Sequence, residues 1–163
     1  MIQLPCRFEK RCLKNMMLKY RNNAVYIAKS RIDETLAVQA TAGKKLLEPF
    51  KSFAASNRLP FNILEDHQVT DNDAEVHQHE ADLWLCLEGE VIFVCDGEME
   101  NPWFKKLPDG SEDRREIKAK SIRGGTTYVL KSGDWLWIPA GVPHQHNNPG
   151  TARLVIIKIP NLT

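Results

Sequence analysis

The chain has 163 residues, of which 42% are hydrophobic and 26% charged, a composition typical of one globular domain with room for a core. The formal net charge of +1 gives no electrostatic basis for binding nucleic acid. No apolar run approaches the roughly 18–20 residues that cross a bilayer, and the basic N-terminus lacks an apolar signal segment. We therefore expect a cytoplasmic protein that binds neither nucleic acid nor membrane, with its four cysteines reduced.

Residues 1–60 are predicted to form an N-terminal extension that is partly helical. From Asp33 to Asn57, apolar residues recur near helical spacing. Gly43 and Pro49 interrupt this pattern, so two short helices or one broken helix are expected. The basic composition of the first fifteen residues leaves open whether they belong to the fold.

Residues 61–163 are predicted to form a β domain, because short runs rich in β-branched and aromatic residues alternate with turn sequences. The predicted strands are Phe61–Val69, Leu83–Cys95, Glu116–Ile122, Thr126–Leu130, Asp134–Pro139 and Arg153–Ile159. Many short strands separated by turns favour a sandwich or barrel over a parallel α/β sheet. The polar segment Glu98–Lys120 is expected to form a long hairpin or loop.

Two His-x-His pairs lie within this β region, His77-Gln78-His79 and His144-Gln145-His146. Residues two apart on a strand project from the same face, so each pair can present two imidazoles together. Imidazole is a common ligand of divalent transition metals, and a carboxylate can complete the set. Glu75 shares the face of His77 if that strand is extended, and Asp82 follows after a bend.

The second pair belongs to a motif that resembles the second motif of the cupin superfamily, at Gly133, Pro139, Gly141, His144 and Asn148. The first cupin motif is matched at His77, His79 and Gly89, and Asp82 stands where that motif has Glu. There are two further departures: Asp71 replaces the first Gly, and the segment between His79 and Asp82 is short by one residue.

The resemblance implies a mainly β fold, a cupin-type double-stranded β-helix (jelly-roll) barrel with a short helical N-terminal extension. It also implies one divalent transition metal, with iron, manganese, nickel and zinc all chemically admissible. The metal ligands that it implies are His77, His79, Asp82 and His144.

A narrower resemblance is to the small sugar-anomerase cupins, which include the β-galactosidase β subunit. It is carried by Ala74-Glu75-Val76-His77, Asp82-Leu83 and Glu88-Gly89-Glu90. This alignment directs Glu75, His77, Asp82 and His144 into the site and leaves His79 outside it. Both alignments share His77, Asp82 and His144.

These resemblances imply a metal-dependent enzyme on a small molecule, of the non-haem dioxygenase type or the sugar isomerase or anomerase type. Glu75 and His146 are the candidate acid–base catalysts. A non-catalytic cupin that binds or senses a small ligand is the alternative, and an accessory subunit is a third hypothesis. Fold alone does not decide among them, because one fold hosts many functions.

The aromatic content of the β region predicts a homodimer. Trp135 and Trp137 share one face of a predicted strand, where they would line a pocket, fill the barrel or pack in a subunit interface. The amphipathic stretch Asp33–Asn57 also needs an apolar surface to cover. We expect both features to contribute to a two-fold interface.

Overall fold

A computed structural model describes residues 23–161 and consists mainly of β-strands preceded by two short helices. The helices are α1 (Lys29–Leu36) and α2 (Phe50–Asn57). The strands are β1 (Gly43–Leu46), β2 (Phe61–Val69), β3 (Ala74–His77), β4 (Glu80–Cys95), β5 (Glu98–Met99), β6 (Trp103–Lys106), β7 (Glu112–Ala119), β8 (Ile122–Arg123), β9 (Thr126–Lys131), β10 (Trp135–Ile138) and β11 (His144–Pro160).

The mainly β class with helices near the N-terminus is thereby confirmed. The first fifteen residues, whose place in the fold the sequence left open, lie outside the described residues. In the part of the chain that the structure describes, no helix is both long and apolar enough to cross a membrane.

The main sheet is organised around β4 and β11, its two longest strands, which pair antiparallel from His144 opposite Cys95 to Pro160 opposite Glu80. β11 also pairs with β2 and β3, whereas β4 also pairs with β9 and β10. β1 adds to β2, and β7 and β6 add to β3. The two histidine-bearing segments, β3 and the start of β11, are therefore direct neighbours.

Side chains alternate between an inner and an outer face of these strands. On the inner face Leu64, Trp84 and Leu154 belong to one buried apolar cluster, together with Cys86, Val91, Phe93, Cys95, Leu130, Ile138 and Ala152. Polar residues occupy further inward positions two or four residues away on the same strands. These residues, Asp66, Asp82 and Lys158, supply part of the charge of the candidate site.

The two helices cover part of the outer face. Phe50 and Ala54 of α2 pack with Ile63 of β2 in a second apolar cluster, to which Leu47 also belongs. Trp135 and Trp137 point outward from β10 and are 57% and 51% exposed, outside this covered region. They therefore do not fill the interior of the β domain.

The prediction of two short helices in the part of the chain before position 60 is confirmed, and β1, which was not predicted, lies between them and pairs with β2. Residues N-terminal to position 60 thus contribute a strand to the main sheet. Arg153 of β11 also links the β strands to the segment before position 60. Its guanidinium donates to Glu65 of β2 at 2.9 Å and to the carbonyl groups of Leu36 and Val38.

Candidate metal centre

Four side chains with metal-binding chemistry converge inside the β domain: Glu75, His77, Asp82 and His144. Nε2 of His144 lies 3.5 Å from Oε1 of Glu75 and 3.5 Å from Oδ2 of Asp82. Nε2 of His77 lies 3.7 and 3.6 Å from the same two oxygens. Ligands about 2.0–2.2 Å from a tetrahedral ion are about 3.3–3.6 Å apart, so these spacings suit a shared metal.

The strand pairing places these groups together. His144 at the start of β11 lies opposite Glu75 of β3, and Asp82 of β4 lies opposite Lys158 of β11. The backbone N–H of Gly141 donates to the carbonyl of His77 at 2.9 Å. The Pro-x-Gly turn is thus hydrogen-bonded directly to His77 at the end of β3.

The ring of His144 has the orientation and tautomer that metal binding requires. Its Nδ1 lies 3.1 Å from the carbonyl oxygen of Val142, which can only accept, so Nδ1 carries the proton and donates. When the ring is neutral, its Nε2 bears a lone pair that faces the cluster, and this buried atom has no hydrogen-bond partner among residues 23–161. A metal ion would satisfy it, so the residues fit a divalent transition metal.

The electrostatics of the cluster favour a positive charge at its centre. Burial opposes ionisation of Glu75, but the imidazoles of His144 and His77, 3.5 and 3.7 Å from Oε1, hold the pKa of this carboxyl well below its usual value. Burial likewise opposes charging of His144, yet the carboxylates of Asp82 and Glu75 raise the pKa of this imidazole to about 9. The site therefore stabilises a cation, whether a proton or a metal.

Two lysines contact the clustered carboxylates. Nζ of Lys118 lies 2.5 Å from Oε2 of Glu75. Nζ of Lys158 lies 2.7 and 2.8 Å from the two oxygens of Asp82, and 2.7 Å from Nε2 of His77. Each carboxylate of the cluster thus has an ammonium partner of its own.

His146 lies beside the cluster, fully buried between the rings of Trp84 and Phe93 at centroid distances of 5.3 and 5.2 Å. Its Nδ1 lies 2.6 Å from Oδ2 of Asp66, and its Nε2 lies 3.0 Å from Nζ of Lys44. Burial lowers the pKa of His146 despite the Asp66 carboxylate. The imidazole is therefore neutral near pH 7, and it accepts from the lysine.

The structure brings together His77, His144, Asp82 and Glu75, with His146 adjacent to them. His79 is exposed and lies outside this group, at the rim of a cavity of about 480 Å³ that His77 and Lys158 also line. This arrangement corresponds to the narrower of the two alignments, which includes Glu75 among the residues that face the site.

Four site residues were not identified from the sequence: Asp66, Lys44, Lys118 and Lys158. The first and last had a usable signal, since Asp66 alternates with Leu64, and Lys158 with Leu154 and Ile156, at inward positions of predicted strands. Lys44 had none, because its strand was not predicted.

Comparison with known proteins agrees with these motifs. The family model described as Cupin domain matches residues 118–160, which include His144, His146 and Lys158. This part of the chain is therefore similar to a cupin domain, in agreement with the second motif. No curated protein matches the chain.

Solved structures that are similar to this chain include the cupin domain of Drosophila melanogaster CENP-C, at 13% identity and a TM-score of 0.46, over 95% of this chain and 99% of that one. Hydroquinone 1,2-dioxygenase from Sphingomonas sp. TTNP3 is similar at 12% identity and a TM-score of 0.45, over 87% and 84% of the two chains. An oxalate oxidase is similar at 17% identity and a TM-score of 0.40, over 61% of this chain. The chain spans only 41% of that oxidase.

Proposed function

We propose that the protein is a metal-dependent enzyme that acts on a small molecule, with one divalent transition metal bound by Glu75, His77, Asp82 and His144. The observation that carries this proposal is the convergence of four ligand-type side chains around Nε2 of His144, a buried atom without a hydrogen-bond partner. In this proposal Glu75 is a metal ligand rather than an acid–base catalyst. His79 is not a ligand.

A bound divalent ion supplies a Lewis acid that polarises a carbonyl or hydroxyl oxygen of the substrate. Isomerase or anomerase chemistry is favoured over dioxygenase chemistry, because such reactions need proton carriers beside the metal, and His146 lies there. Asp66 fixes the ring of His146 and its tautomer through a hydrogen bond of 2.6 Å. His146 is therefore the candidate base, and Asp66 is a positioning residue.

The metal ligands are tested by comparing His77→Asn with His79→Asn, two matched changes on the same short segment. Both variants and the wild type are titrated with Co²⁺ and Mn²⁺, and the metal content of the purified proteins is measured. We expect His77→Asn to lower metal affinity by at least about 100-fold, because a ligand is lost. His79→Asn should bind metal like the wild type, since its ring is exposed and outside the cluster.

The reverse result, with loss in His79→Asn and none in His77→Asn, would favour the alignment in which His79 is a ligand and would contradict the ligand set proposed here.

Oxygen consumption separates the dioxygenase from the isomerase or anomerase reaction. If Fe²⁺-loaded protein consumes oxygen with substrate while Zn²⁺-loaded protein is inactive, the chemistry is that of a dioxygenase.

A non-catalytic cupin that binds a small ligand is the second candidate function. It is favoured by the lysine contacts, because Lys118 and Lys158 already neutralise Glu75 and Asp82 at 2.5 and 2.7 Å. Such a protein would bind its ligand in the cavity without a metal. The same titrations decide between the candidates, since wild-type protein with no affinity for either metal would favour this second one.

A further inference from the structure

Lys158 contacts the proposed ligand set through its ammonium group. Its Nζ lies 2.7 Å from Nε2 of His77 and 2.7 Å from Oδ1 of Asp82. Both atoms belong to proposed metal ligands, and the single lone pair on Nε2 of His77 cannot serve an ammonium group and a metal ion at once. A bound metal must therefore move the ammonium group away.

The surroundings of Lys158 provide room for that movement. Its side chain is 34% exposed, and together with His77 it lines the cavity of about 480 Å³. The movement requires only rotation about the bonds of a flexible side chain, with no change in the backbone of β11. The displaced ammonium group remains tethered beside the metal, where a ligand entering from the cavity would meet it.

The charges around the site are close to balance before a metal is counted. Glu75 and Glu116 both contact Lys118, Glu116 also contacts Lys105, and Asp82 contacts Lys158. His146 lies between Asp66 and Lys44. With Glu80, Asp113 and Arg115, which line the same cavity, six carboxylates face five basic side chains, and a divalent ion turns this balance into an excess of positive charge. A largely buried site does not tolerate such an excess well, so it favours an anionic partner.

We propose that the small molecule bound here carries an anionic group, a carboxylate or a phosphate, and that Lys158 binds this group once it has released His77 and Asp82. The inference rests on the proposed function, because the excess positive charge comes from the metal. It assigns the substrate to the class of small organic anions and makes Lys158 a residue that positions them.

The inference is tested on the full chain loaded with Co²⁺, whose visible absorption reports ligands near the metal. Acetate and methyl phosphate probe carboxylate and phosphate recognition, and acetamide is the neutral counterpart of acetate. The variant is Lys158→Met, which keeps the length of the side chain and removes its charge. Lys120→Met is the matched control, because Lys120 is exposed and pairs with Asp73 at 2.6 Å, outside the cavity.

We expect at least one of the two anions to change the Co²⁺ spectrum, and acetamide to leave it unchanged at the same concentrations. Lys158→Met should weaken anion binding by about tenfold or more, since a charge-assisted hydrogen bond is lost. The same variant should bind Co²⁺ at least as tightly as the wild type, because its side chain no longer competes for His77 and Asp82. Lys120→Met should change neither affinity.

Equal binding of acetate and acetamide, or unchanged anion affinity in Lys158→Met, would overturn the inference while leaving the metal site intact. Weaker Co²⁺ binding by Lys158→Met would contradict the displacement. Wild-type protein that binds no Co²⁺ would overturn the proposed function and this inference with it. Circular dichroism checks the fold of each variant, and Lys158→Gln replaces Lys158→Met if the latter does not fold.

Discussion

Nε2 of His144 is the atom that would bind either a proton or the proposed metal ion. The Val142 carbonyl fixes its Nδ1–H at 3.1 Å, and its Nε2 faces the two carboxylates of the cluster. Burial lowers the pKa of the ring, but Asp82 and Glu75 outweigh that effect and raise it from 6.5 to about 9. In the proposed function a proton and a metal ion would therefore compete for the same lone pair below that pH.

This pKa shift predicts how stability depends on pH when a chelator removes divalent metals. The folded protein keeps a proton on His144 up to about pH 9, whereas the unfolded chain loses it near pH 6.5. The contribution of His144 is therefore fully present below pH 6.5 and is lost as the pH rises to about 9. Urea unfolding across this range should show the free energy of unfolding falling more steeply for wild type than for His144→Asn.

Parallel pH profiles for the two proteins would contradict the assignment of a protonated His144. The same competition predicts how metal affinity depends on pH. Metal bound at His144 would have to displace that proton below about pH 9, so metal affinity should rise with pH over this range. Calorimetry in buffers that differ in ionisation enthalpy measures the protons released.

At the scale of elements, the pairing of β4 with β11 depends on Gly89. The backbone of Gly89 has φ +75°, and a Cβ there would lie 2.0 Å from the carbonyl oxygen of Thr151. The close approach occurs where the register between the two strands shifts, between Asn147 and Ala152. A side chain at this position would force apart the two strands that carry Asp82, His144 and Lys158.

We therefore expect Gly89→Ala to lower the free energy of unfolding by at least about 2 kcal/mol, since both the steric overlap and the positive φ oppose it. Gly150→Ala is the matched control, because a Cβ there meets only the side-chain oxygen of Asn148, at 3.5 Å. Thermal and urea unfolding of both variants measure the difference. Equal stability of the two variants would show that the paired strands adjust to the added methyl group and would contradict this prediction.

Most strands were predictable because turn residues bound them and their side chains alternate. Phe61–Val69 matches β2, and the remaining predicted strands overlap β4 and β7 to β11. β1 was missed, since Gly43-Lys44-Lys45-Leu46 is short, carries two lysines and lies within a stretch with helical spacing. Its strand conformation depends on pairing with β2, which local sequence does not encode.

The candidate site was predictable to the extent that motifs carried it. His77, Asp82 and His144 followed from the motif spacing, and the narrower alignment also placed Glu75 in the site. The choice between His79 and Glu75 depended on where β3 ends and the chain turns, and element boundaries are weakly encoded in sequence. The lysine contacts depend on distant strand pairings, such as Lys158 opposite Asp82, which no local pattern specifies.

At the scale of the whole molecule, the outer face of the sheet predicts a homodimer. Trp135 and Trp137 lie beside Leu85 and Leu83 on β4, and the helices do not cover the two tryptophans. A second copy that buries these rings would remove a large apolar surface from water. Light scattering should give about twice the monomer mass of 18.6 kDa, and Trp135→Ser with Trp137→Ser should shift the protein toward monomer.

A wild-type mass near 18.6 kDa at micromolar concentration would contradict the homodimer. Tyr26→Ser is the control, because Tyr26 is 87% exposed and lies outside the sheet. Its assembly state should equal that of the wild type.

The pairing of β4 with β11 also determines when the site can exist during protein synthesis. A nascent chain that stops before β11 contains Glu75, His77 and Asp82 but lacks His144 and Lys158. Contacts between such distant segments form slowly, and they form only after the later segment has left the ribosome. In the proposed function the four metal ligands therefore come together only after β11 has been synthesised, and the metal would be taken from the ions available at that stage.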